Sequence, residues 1–183
     1  MWVTRALPAL LLAGALAAPT AAAPPRIREL TIVIDGGQVL ASFRLEDGFS
    51  PAILQRIESG LPTGFLYEIQ LARDRKRWWD DGLDSTRLEV MAMFNAVTHE
   101  YLVNTKLAGK LIDSRTLRAA SELERTMTSF SALPIFTFAP VRGRERYLVR
   151  VRVELGTGHA LGFIPFLRTT EWVDSNKIRI TVP

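Results

Sequence analysis

The chain has 183 residues, 48% of them hydrophobic, with 23 Lys and Arg against 19 Asp and Glu and a formal net charge of +4. It contains no cysteine and two histidines. That excludes a disulfide framework, a thiolate nucleophile, thiolate metal ligands and a lipidated cysteine, and it leaves little imidazole for acid–base work.

Residues 1–23 read as a signal peptide: Arg5 is the lone early charge, an uncharged Ala/Leu stretch covers residues 6–18, and small residues precede Pro24. The stretch is about 13 residues, against the roughly 20 a helix needs to cross a bilayer, so no transmembrane anchor is expected. Pro24 obstructs a cut after Ala23, which points to cleavage after Ala22 or Ala17. On this reading the protein is periplasmic or secreted, residues 24–183 form a single β-rich domain, and export argues against a nucleic-acid partner.

Leu30, Ile32 and Ile34, then Val39, Ala41, Phe43 and Leu45, alternate around Asp35-Gly36-Gly37, the pattern of a hairpin. Ser50-Pro51 opens a short amphipathic helix carrying Ile53, Leu54 and Ile57, and Gly60 closes it. Phe65, Tyr67, Ile69 and Leu71 predict one strand, and Leu88, Val90, Ala92 and Phe94 another. Residues 99–107 read as a return strand after a turn or bulge at residues 95–98, with one long bent strand as the other option.

Ser114 is predicted to cap a second helix, with Leu117, Ala120, Leu123, Met127 and Phe130 inward and Arg115, Arg118, Glu122 and Arg125 outward. Residues 135–141 form a short aromatic strand. The clearest strand sets Tyr147, Val149, Val151, Val153 and Leu155 against Arg146, Leu148, Arg150, Arg152 and Glu154. Gly156, Gly158 and Gly162 mark a loop, and Ile178, Ile180 and Val182 a last strand. The expected fold class is mainly β (β-rich α+β): an antiparallel sandwich-like sheet of about seven or eight strands with two inserted amphipathic helices.

The run SGLPTGFLYEIQLARDRKRWWDD over residues 59–81 joins a helix end to a strand, an arginine-rich strand exit, paired tryptophans and acids. Together with NAVTHEYLV at 95–103, YLVRVRVEL at 147–155 and the late Pro165, Phe166, Glu171 and Trp172, it resembles the bacterial family called domain of unknown function 4390. The resemblance covers nearly all of residues 24–183. It implies an exported envelope protein and carries no activity to any residue.

No catalytic residue, metal ligand or cofactor site is expected. His99 precedes Glu100 at a strand start, where neighbouring side chains point to opposite faces and cannot share a metal. His159 lies in GTGHALG, which lacks the lysine and following helix of a phosphate cradle. Asp80, Asp81 and Asp84 lack the glycine and glutamate of a calcium loop and read as a solvated acidic turn. The candidate ligand or partner surface is Arg73, Arg75, Lys76, Arg77, Trp78 and Trp79, because guanidinium groups pair with phosphate or carboxylate and tryptophan stacks on a cation or a sugar. The bland reading has the same bases neutralised by Asp74, Asp80 and Asp81. Arg144, Arg146, Arg150 and Arg152 form a second basic face, expected to be neutralised if Glu68 or Glu89 lies across the sheet.

The function expected from these features is a non-catalytic binding or scaffolding protein of the cell envelope, its partner an envelope protein or an anionic component such as a lipid headgroup or glycan. The alternatives are an envelope-polymer hydrolase or transferase using Asp81 or Glu100 as base, and an accessory sensor domain for a membrane receptor.

Overall fold

A computed structural model describes residues 23–74, 81–137, 146–157 and 168–179. Gly36 and Gly37, with φ of 53° and 77°, make the tight turn between β1 (Arg26–Asp35) and β2 (Gln38–Glu46). Both turn residues are left-handed, as a two-residue hairpin matching the strand twist requires. In β1 the pairing slips between Arg28 and Thr31, and Glu29 takes a φ of 56°. This bulge lets Ile27 and Leu30 both face inward although their spacing is odd.

Helix α1 (Pro51–Glu58) starts as its sequence predicts: the Ser50 side chain accepts from the Ile53 N–H at 3.4 Å and Pro51 occupies the first turn. Then come β3 (Thr63–Arg73), β4 (Asp81–Asn95) and β5 (Glu100–Leu107). β4 and β5 are two strands joined by a turn, not one bent strand: the Asn95 side chain accepts from the Val97 N–H at 2.9 Å, and His99 turns the chain at a φ of 55°.

The largest departure from the sequence reading lies in residues 110–130. The segment expected to begin a helix at Ser114 forms a strand, β6 (Lys110–Leu117), and helix α2 is confined to Ala120–Thr128. Ser114 caps nothing; its hydroxyl donates to Asn104 Oδ1 at 2.8 Å across the β5–β6 pair. The cause is the two-residue turn Ala108-Gly109, with φ of 50° and 77°, which returns the chain along β5 before a helix can nucleate. Phe130, assigned to the helix, belongs to β7 (Ser129–Thr137), which starts earlier than the aromatic run suggested; residues 138–141 of that run lie outside the described residues.

β8 (Arg146–Thr157) is the long alternating strand. Three two-residue strands pair with it: β9 (Arg168–Thr169), β10 (Val173–Asp174) and β11 (Ile178–Arg179). Ile180 and Val182 of the expected last strand lie outside the described residues.

The strands form two antiparallel sheets, one in the order β1-β2-β7 and one in the order β10-β8-β3-β4-β5-β6, stacked in a sandwich-like arrangement. Phe65, Tyr67, Ile69, Val90, Val149, Val151 and Val153 are wholly buried on the inner face of the larger sheet. They share one apolar cluster with Ile32, Val39, Ala41 and Phe43 of the smaller sheet. Ile57 of α1 and Leu123 and Met127 of α2 complete it. At its centre the Tyr67 ring meets Phe43, Phe65 and Phe130, and the Tyr67 hydroxyl donates to the Met127 carbonyl at 2.8 Å.

A side chain joins the sheets along one side. Asn176 Oδ1 accepts from the Ile32 N–H at 2.7 Å and its Nδ2 donates to the Ile32 carbonyl at 3.2 Å, so the amide stands in for a neighbouring strand on the β1 edge. Ser175 beside it bonds β8, its N–H donating to the Val149 carbonyl and its hydroxyl accepting from the Val149 N–H.

Candidate functional site

The candidate surface begins where β3 ends. Arg73 is half-buried, paired in register with Tyr147 of β8 and Asp81 of β4, and it is engaged with its surroundings rather than free. Arg75, Lys76, Arg77, Trp78 and Trp79 lie outside the described residues.

The base from which those residues depart is well defined. The Asp74 N–H donates to the Arg146 carbonyl at 2.8 Å, and its carboxylate, 9% exposed, sits 3.0 Å from Arg146 Nε and 3.0 Å from Lys177 Nζ. One carboxylate thus ties the end of β3 to the start of β8 and to the segment before β11. Charge-assisted contacts around a nearly buried anion hold better than exposed pairs, because the protein interior screens them less. Arg150, four residues further along β8, lies 3.4 Å from Asp174 of β10. Arg146 and Lys177 hold Asp74, and Arg150 holds Asp174, so bases outnumber acids along this part of β8.

The second basic face is resolved as its neutralisation predicted. On the outer side of the larger sheet Glu68 of β3 stands in register with Arg152 of β8 and Arg87 of β4. It accepts from Arg152 Nε and lies 3.9 Å from Arg87. Arg152 also stacks on Trp172, 4.6 Å from the ring centroid. Glu68, Arg87 and Arg152 line an open cleft of about 620 Å³ together with the Ala108-Gly109 turn. Arg144 lies outside the described residues.

The other polar candidates go elsewhere. His99 turns the chain between β4 and β5, its ring 6.2 Å from Phe94. Asp84 is not in a solvated turn but within β4, paired with Leu71. Asp80 and His159 lie outside the described residues, and no cluster of three metal-ligating side chains occurs among the described ones. Glu100 is engaged by Arg118 at 2.9 Å.

Asp74 was visible in the sequence as a counter-charge, but not its partners. Lys177 lies 103 residues away in the chain, and pairing at that distance leaves no local periodicity. A further cluster, on the smaller sheet, was not singled out: Glu46 is flanked by Arg26 at 3.5 Å, Arg28 at 3.4 Å and Arg44 at 3.0 Å. Desolvation raises the Glu46 pKa, but the hydrogen bond from Arg44 and the charges of Arg44, Arg28 and Arg26 outweigh it and hold it below the ordinary value.

The fold and this surface define a mainly antiparallel, sandwich-like β protein with an ion-paired cationic strand end. The chain belongs to the family described as a domain of unknown function, DUF4390, whose model matches residues 22–160. No curated protein and no solved structure matches it. No helix among the described residues is long and apolar enough to cross a membrane.

Proposed function

We propose that this protein is an exported, periplasmic, non-catalytic binding or scaffolding protein of the bacterial envelope, and that it engages an anionic partner at the exit of β3, through Arg75, Lys76, Arg77, Trp78 and Trp79. The observation that carries the reading is the Asp74 anchor: the Arg146 and Lys177 contacts clamp the residue immediately before the basic–aromatic run. A run of three cations and two indoles continuing from a fixed strand end loses less conformational freedom on binding than one on a free tail. Arg73 and Arg146 add positive potential at the same end.

Phosphate-bearing lipid headgroups and acidic glycans offer the same anionic chemistry. The test is flotation of the purified protein with phosphatidylglycerol vesicles and with phosphatidylcholine vesicles, alongside retention on an immobilised acidic polysaccharide. Replacement of Arg75, Lys76 and Arg77 by Gln is expected to reduce capture by one of the anionic probes about tenfold or more, more strongly at low salt, with thermal stability unchanged. Wild-type protein captured by neither probe, or a triple variant that binds like wild type, overturns the reading.

A further inference from the structure

Among the described residues the strands longer than two residues that lie at a sheet edge are β1, β7 and β6, the far side of the larger sheet being covered by the short β9, β10 and β11, and the first two are blocked. β1 is capped at Ile32 by the Asn176 amide. β7 carries Pro134, which has no N–H to give, beside the left-handed Ala132 with a φ of 49°. β6 has neither device. It is the last strand on its side of the larger sheet, it spans eight residues, and its side chains from Lys110 to Ile112 and from Ser114 to Thr116 are exposed. Leu111 and Ile112 are 58% and 47% exposed. A strand open at its edge and on both faces is a template for another strand.

The charges of β6 say which strand fits. Asp113 and Arg115 lie on one face, 2.6 Å apart. The pairing of β6 with β5 slips at Ile112, so regular alternation runs from Asp113 to Leu117; if a second copy of β6 pairs antiparallel with the first about a twofold axis at Ser114, Asp113 of each chain faces Arg115 of the other. Shifting the axis to Asp113 or to Arg115 sets like charges opposite each other, and axes midway between residues leave both charges without a counter-charge directly across. The strand is self-complementary in one register, the condition for an isologous contact. We infer that this protein forms a homodimer through antiparallel β6–β6 pairing centred on Ser114, joining the two larger sheets into one continuous sheet. The inference is independent of what binds at the β3 exit, three strands away in the larger sheet.

The test is a charge exchange read by sedimentation equilibrium over a range of concentrations. Asp113→Arg places Arg against Arg, and Arg115→Asp places Asp against Asp, so each single variant is expected to weaken self-association at least tenfold. An equimolar mixture of the two restores both opposite-charge pairs and is expected to heterodimerise, which two misfolded variants do not do. A second measurement fixes the register: because the chain has no cysteine, Ser114→Cys is expected to give a disulfide-linked dimer on mild oxidation, while Thr116→Cys, two residues from the axis and so not opposite its own copy, is not. A wild-type chain that stays monomeric throughout, single variants that associate like wild type, or equal cross-linking at both positions overturns the inference.

Discussion

Tyr67 shows how much one residue holds in this fold. Its ring lies at the meeting point of the two sheets and its hydroxyl is fully buried against the Met127 carbonyl. Burial disfavours the phenolate and pushes its pKa well above the ordinary value. The unfolded chain ionises near pH 10, the folded one only at higher pH, so the stability from Tyr67 is full below about pH 10 and drains away as pH rises beyond it. Tyr67→Phe is expected to cost about 1–3 kcal/mol at pH 7, since the carbonyl loses its partner, and that deficit is expected to shrink above pH 10 in urea titrations. An unchanged deficit from pH 7 to pH 11 would count against the buried hydroxyl. Gly64 is constrained differently: a Cβ there would overlap the Val90 carbonyl oxygen and the Met91 side chain of β4. Gly64→Ala is expected to destabilise by about 2 kcal/mol or more, seen as a lowered Tm, because backbone rather than a mobile side chain must move.

At the scale of elements, edges and turns decide the arrangement. The Asn176 amide satisfies both backbone groups of Ile32, so Asn176→Ala is expected to cost about 1–2 kcal/mol and to speed hydrogen exchange at the Ile32 amide ahead of β2. Equal protection of that amide in both proteins would contradict the role. The β5–β6 turn holds Ala108 at a φ of 50°, where a side chain is strained and glycine is not. Ala108→Gly is therefore expected to raise or leave unchanged the urea midpoint, whereas the same change on an ordinary strand lowers it. β6 also shows why the helical periodicity of Leu117, Ala120, Leu123 and Met127 extends beyond the N-terminus of α2. Leu117 packs against the core from a strand end, and its spacing from Ala120 matches a helical turn by coincidence of position across two elements.

For the molecule as a whole, both sheets draw on one apolar cluster, so neither buries its inner face alone. Val151→Asp, placing a carboxylate at a wholly buried site between them, is expected to cost about 3 kcal/mol or more and to shift fluorescence and far-ultraviolet unfolding curves together. Separate transitions for the two probes would show that the sheets fold independently. On the opposite face of β8, Asp174 lies 3.4 Å from Arg150, so Arg150→Asp creates a like-charge contact.

The alternation of β1, β2, β3, β4 and β8, the Ser50-Pro51 helix start and the Gly36-Gly37 turn were legible because each is enforced by neighbours in the chain: side chains two apart share a sheet face, and a cap or turn residue acts within four positions. The mainly β, sandwich-like class followed from their sum. The tertiary structure alone decided which charges meet. Lys177 reaches Asp74, Trp172 covers Arg152 and Asn176 closes β1 only after β8 has brought the last described segment beside β3 and β1. It also decided that residues 110–117 pair as a strand, since hydrogen bonds to β5 outweigh a helical tendency too short to nucleate by itself.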